Sequence, residues 1–161
     1  MDDTWESEIG GLLTELADVQ TALLGTFSEK RKLLATGDQA ALTAIGGREK
    51  ELASRLQSCH ERREQLLARA GADGVPADSI MSLSDRLPAE SRDRVQASIR
   101  ESTNRSKMVQ HQCLANWVLV QRMLLHLSQL IEIIATGGQG KPTYGNGSER
   151  QGSGFLVDRA V

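Results

Sequence analysis

The chain contains no glycine or proline between Pro88 and Ala135. In this stretch, large apolar residues recur at heptad spacing on one seam, with Ser102, Ser106 and Asn116 as its polar members. Because glycine and proline are the residues that most often end a helix, we expect a single helix over 88–135, with Pro88 at its first position. Such a helix would be about 70 Å long at 1.5 Å per residue.

Two further helices are expected before it, over about residues 4–36 and 38–70. Leucine, isoleucine, valine and phenylalanine recur at helical spacing in both segments. Gly37 suits the position that ends one helix, and Asp38 suits the N-cap of the next, so the two should form an antiparallel hairpin. Gly46 and Gly47 weaken the second helix and leave open whether it kinks. The connector over 71–87 has room for one helical turn around Ile80 to Leu83.

These elements predict an all-α fold with one domain over 1–136. It consists of a long antiparallel helical hairpin and a longer C-terminal helix, packed as a coiled-coil-like three-helix bundle. Residues 137–161 change sharply in composition, with GGQGKPTYGNGSERQGSG rich in glycine and polar residues. A segment of this kind cannot bury a core, so we expect a disordered, flexible C-terminal tail.

The C-terminal end of the last helix, VLVQRMLLHLSQLIEIIA over 118–135, is apolar around more of its surface than one packing face requires. A hairpin helix of about 33 residues spans about 50 Å, which is shorter than the last helix. If the last helix packs along the hairpin from its Pro88 end, about 15 residues from near Arg122 to Thr136 have no hairpin to cover them. An uncovered apolar strip of this size usually marks an interface.

Charge and composition argue against several classes of function. A net charge of −2 provides no electrostatic drive toward nucleic acid. The acidic start MDDTWESEIG lacks the basic and apolar regions of a secretory signal. Gln121, Arg122, His126, Gln129 and Glu132 interrupt the apolar stretch at membrane depth. We expect a cytoplasmic protein that neither binds nucleic acid nor spans a membrane.

Catalytic and metal sites are also poorly supported. His111 and His126 lack the lysine and glycine that follow the histidine in phosphotransfer bundles. A zinc site from Cys59, His60, His111 and Cys113 would need residues about 20 Å apart along the helices to converge. Both cysteines fall on heptad core positions, where a thiol acts as a small apolar group. We expect no enzyme activity, no cofactor and no metal.

Several segments together resemble the FlgN family of bacterial flagellar export chaperones. They are LLATGDQAALTAIGGREKELASRLQSCHERREQLL, the connector, the long apolar C-terminal helix and the tail PTYGNGS. The resemblance covers essentially the whole chain, and the leucine pair before Gly37–Asp38 and the Tyr-Gly of the tail are its most specific parts. Gly46–Gly47 departs from the uninterrupted helix that the family leads us to expect.

The resemblance implies a cytosolic chaperone that binds hook–filament junction proteins, of the FlgK and FlgL type, before their secretion. It also implies that the C-terminal half grips helical ends of these clients, keeps them from premature assembly and docks at the export gate. We expect the client to contact Met123, Leu124, Leu127, Leu130, Ile131 and Ile134, and the resemblance links Tyr144 to gate docking. The alternative is a structural coiled-coil protein that self-associates through the same strip, and an empty chaperone can also form a homodimer.

Overall fold

The computed structural model describes residues 2–75 and 77–137, and its elements confirm the all-α prediction. No strand occurs among these residues. Pro88 lies one position before the last helix rather than at its first residue, because its carbonyl accepts the first helical hydrogen bond, from Arg92 N at 2.8 Å. The predicted tail lies outside the described residues from 138 onward. The four helices are α1 (Asp2–Thr36), α2 (Gln39–Ala72), α3 (Ile80–Ser84) and α4 (Ala89–Ala135).

The turn between α1 and α2 has the geometry that its two residues favour. Gly37 has a φ of +72°, a conformation that glycine adopts without steric cost, and its amide donates to Leu33 O at 2.9 Å. Asp38 caps α2, since its side chain accepts a hydrogen bond from Ala41 N at 3.0 Å. The helix then continues through Gly46 and Gly47 without interruption.

Ion pairs along the hairpin show that α1 and α2 are antiparallel. Glu8 near the start of α1 pairs with Arg69 near the end of α2, and Lys30 near the end of α1 pairs with Glu49 near the start of α2. The Lys30 Nζ to Glu49 Oε2 distance is 2.7 Å. Partly exposed pairs of this kind stabilise a fold by less than about 1 kcal/mol each. They are consistent with the register, whereas the apolar core supplies most of the stability.

The core consists of two separate clusters. The lower cluster joins all four helices, and the upper cluster lies between α1 and α2, with Val109 of α4 packed against it. The lower cluster contains Ile9, Leu12, Cys59, Leu66, Ala70, Ile80, Leu83, Leu87 and Val95, and the upper cluster contains Val19, Leu23, Phe27 and Leu52.

A buried glutamine of α1, next to Val19 of the upper cluster, joins α1 to α4 by hydrogen bonds. Gln20 is 1% exposed, and its amide nitrogen donates to Ser102 O at 3.1 Å and to Ser106 Oγ at 2.8 Å. Its amide oxygen accepts from Arg105 Nε at 3.2 Å. Farther along α4, Asn116 Nδ2 donates to Phe27 O at 3.1 Å. These contacts make α4 parallel to α1 and explain why its packing seam contains polar residues.

The two cysteines differ in burial, which corrects the prediction that both lie in the core. Cys59 is 3% exposed in the lower cluster, whereas Cys113 is exposed on α4. At this height α4 meets α1 through Gln112, which accepts from Arg31, and through Asn116. The contacts therefore pass to one side of Cys113, and none of the four described helices covers its thiol.

This difference should be visible in thiol chemistry. Burial raises the pKa of the Cys59 thiol, and the nearby Glu15 carboxylate shifts the pKa in the same direction. Because the thiolate is the reactive form, Cys59 should react with a disulfide reagent at pH 8 at least about tenfold more slowly than Cys113. A Cys113→Ser variant should retain only the slow phase, and denaturant should make both thiols react quickly. Equal rates in the native protein would contradict this packing.

Candidate interaction surface

The chain divides into two compact units, Met1–Gln121 and Arg122–Val161. The second unit is described as far as residue 137, and up to Ala135 it consists of the C-terminal part of α4. The boundary between the two units falls within α4, between Gln121 and Arg122. Gly137 follows the helix with a φ of +63°, and its amide donates to Ile134 O at 3.3 Å.

The large apolar side chains of this second unit are exposed. Five of the six predicted contact residues are between 41% and 79% exposed, and the sixth, Met123, is half-buried. We refer to these six residues as the apolar strip. They are Met123, Leu124, Leu127, Leu130, Ile131 and Ile134.

The apolar strip forms one continuous face of the helix. With successive residues 100° apart, its six side chains fall within an arc of about 120°, and no other residue of 122–135 falls within that arc. Along the helix axis, neighbouring residues of the strip are three and four positions apart, which is the pattern that a partner helix packs against. The geometry therefore suits recognition of an amphipathic helix.

The titratable groups of this segment lie outside the arc. Arg122, His126 and Glu132 are all exposed, and each lies about 100° or more from the centre of the strip. The strip itself offers no charge and no hydrogen-bonding side chain to a partner. Its affinity must come from burial of apolar area, at about 25 cal/mol per Å² before the costs of association.

Other exposed apolar residues were not predicted as contacts. Leu125 and Ile133 are 64% and 56% exposed and lie on the side of the helix away from the strip. In the first unit, Leu114 and Trp117 are also exposed. Leu125 and Ile133 belong to the run over 118–135 that is apolar around most of the helix, but periodicity alone does not show which side of that helix a partner would cover. The predicted docking residue Tyr144 lies outside the described residues.

By length and composition alone, α4 could cross a lipid bilayer, and it is the one described helix that could. Its most apolar window contains no buried residue. A charged side chain at the centre of a bilayer costs roughly 2.5 to 3.5 kcal/mol, and this segment carries Arg122 and Glu132. A protein that packed on the apolar strip would cover one face and would leave both charges in water. The arrangement therefore favours a protein over lipid.

A family model described as FlgN protein matches residues 1–152, which is nearly the whole chain. Neither the search of curated proteins nor the search of solved structures returns a match.

Proposed function

The chain belongs to the FlgN family, whose members are flagellar export chaperones, and we propose that it binds hook–filament junction proteins through the apolar strip. Binding there keeps helical ends of the client from assembling early. The chaperone then delivers the client to the export gate. This work takes place in the cytoplasm, before secretion. No chemical step is involved, because the function consists of binding and release.

The observation that carries this proposal is that the apolar strip is exposed on a regular, uninterrupted helix. Soluble monomers rarely expose a large continuous apolar patch, and such a patch usually marks the site where a partner binds. Leu127 and Ile131 lie at the middle of the strip and are 51% and 66% exposed. A client helix with aliphatic side chains at i, i+3, i+4 and i+7 would cover them and leave its polar side in water.

The direct test is to mix the chain with full-length junction proteins of the same bacterium and to measure the mass of the products by light scattering. The proposal predicts a stable complex with one client and one chaperone. A chain that stays dimeric and forms no complex would support the alternative, self-association through the same strip. A client-free dimer that dissociates when the client is added is compatible with the chaperone, because client and second copy then compete for one surface.

We further propose that Tyr144, the chain's one tyrosine, docks the chaperone at the export gate. Tyr144→Ala should leave the Kd for the client unchanged within about twofold and should weaken binding to the cytoplasmic part of the gate by at least about tenfold. Pull-down and titration with purified gate protein would measure this. Tyr144→Phe separates the ring from its hydroxyl group. Unchanged gate affinity in Tyr144→Ala would remove the assignment.

A further inference from the structure

An open groove of about 520 Å³ lies between α2 and α4 in the first unit. Its floor is formed by Leu12 and Leu16 of α1, and its walls include Leu56 of α2 and Ile99 of α4. Leu16, Leu56 and Ile99 are only half-buried. We refer to this surface as the α2/α4 groove. None of the residues of the apolar strip lines it.

One end of the α2/α4 groove is already filled by a helix of this chain. Ile80, Leu83 and Leu87, in and just after α3, are buried in the lower cluster with Leu66 of α2 and Val95 of α4. These three side chains are spaced three and four residues apart, as on the apolar face of an amphipathic helix. Ile80 also lines the open part of the groove. The open groove therefore continues an interface that accepts aliphatic side chains at helical spacing.

The α2/α4 groove lies where the core is interrupted. On one side it borders Cys59 of the lower cluster, and on the other side it borders Leu56, which packs against the upper cluster. Protein cores are normally close-packed. Side chains of both clusters that line a gap of this volume therefore lack van der Waals contacts that they would make in a filled core. Aliphatic side chains inserted into the gap would join the two clusters into one core.

The chemistry of the lining describes the occupant. The serine hydroxyls of Ser102 and Ser106 are already hydrogen-bonded to Gln20, so they offer little to a small polar ligand. Among the described residues that line the groove, the titratable side chains other than the buried Cys59 are His60 and Arg63. The guanidinium of Arg63 contacts Glu64 and retains further N–H donors. The lining therefore suits a partner segment that carries a row of aliphatic side chains with a carboxylate beside it.

We propose that the α2/α4 groove binds a second amphipathic helix of the exported client. Its aliphatic row packs against Leu16, Leu56 and Ile99, and an acidic side chain on its edge pairs with Arg63. This inference rests on the proposed function, since it takes the client as the partner. Two segments of one client chain held at two surfaces raise the apparent affinity above that of either contact alone.

A second copy of this chain fits the groove less well than a client does. Among the described residues of a second copy, the exposed aliphatic row at helical spacing is the apolar strip, and the arc of the strip carries no carboxylate to meet Arg63. A strip placed in the groove of a neighbouring copy would also be a head-to-tail contact, which leads to open-ended assembly unless the rotation closes. A client helix meets neither obstacle.

The test compares two double variants that carry the same charge change on the same helices. Ala53→Glu/Thr103→Glu places two carboxylates at exposed positions that line the groove. Ala68→Glu/Asn104→Glu places them at exposed positions that do not line it. Each variant is titrated with the full-length junction protein that binds wild type, and circular dichroism checks that both are folded.

We expect the groove variant to raise the Kd for the client at least tenfold and the control to leave it within twofold. As a second readout, a fluorophore on Thr103→Cys in a Cys113→Ser background should shift its emission to the blue when client binds. Unchanged affinity in the groove variant, or an unshifted fluorophore at saturating client, would overturn this inference alone. If wild type binds no junction protein, the proposed function fails as well.

Discussion

The variant Leu127→Glu/Ile131→Glu should bind the client at least about 100-fold more weakly than wild type, a loss of about 2.8 kcal/mol. Both side chains lie at the middle of the apolar strip and are more than half exposed. A client helix that covers the strip would bury the two introduced carboxylates without a partner, which costs several kcal/mol per charge. Isothermal titration of variant and wild type with the same client measures the difference.

The chain offers a matched control for this experiment. Leu125→Glu/Ile133→Glu changes residues of the same types, with similar exposure, on the side of the helix away from the strip. Its Kd should stay within about threefold of wild type, since the new carboxylates remain in water. Both variants should keep the wild-type melting temperature within about 2 °C. Equal losses in the two variants would show that the client covers both sides, and no loss in either would place the client elsewhere.

The substitution Ile9→Ala should lower the free energy of unfolding by about 2 to 5 kcal/mol. Ile9 is fully buried in the lower cluster, where all four helices meet. Removing three of its side-chain carbons loses their burial and leaves a cavity that rigid neighbours cannot close. Urea unfolding followed by circular dichroism measures the change. For a chain of this length, a loss of 3 kcal/mol should lower Tm by about 6 to 12 °C.

The same substitution at an exposed site separates burial from helix propensity. Ile133 also lies in a helix but is 56% exposed. Ile133→Ala should change the free energy of unfolding by less than about 0.5 kcal/mol, because alanine favours a helix slightly and little contact is lost. A loss at Ile9 as small as that at Ile133 would contradict the four-helix packing of the lower cluster.

Local chemistry determined the parts of the fold that the sequence predicted well. The turn at Gly37–Asp38 follows from one residue that tolerates positive φ and another that caps a helix. The short α3 appears at Ile80–Ser84, where the connector had an apolar pair and helix-capping serines. The exposed strip followed from a comparison of helix lengths. Each of these features depends on neighbouring residues or on distance along one helix.

Features that depend on the relation between helices were harder to predict. Gln20 is buried because α1 packs against both α2 and α4, so its buried face is wider than a single heptad stripe. Gln20 lies four residues after Leu16 and three residues before Leu23, so this position on the apolar face of α1 could have indicated that its side chain is buried. Cys113 is exposed because α4 meets α1 through Gln112 and Asn116, which both lie on one side of Cys113. The α2/α4 groove likewise depends on how far apart two helices lie.

The buried Gln20 also has a consequence during synthesis of the protein. The hairpin α1–α2 can close as soon as both helices are made, but Ser102, Ser106 and Arg105 are translated later, about 30 residues after α2 ends. At a translation rate of about 5 to 20 residues per second, roughly 2 to 6 s pass between the synthesis of α2 and the synthesis of these α4 residues. During that interval its uncovered face carries a hydrated amide in the middle of its apolar residues. A polar break of this kind discourages two nascent hairpins on neighbouring ribosomes from adhering to each other.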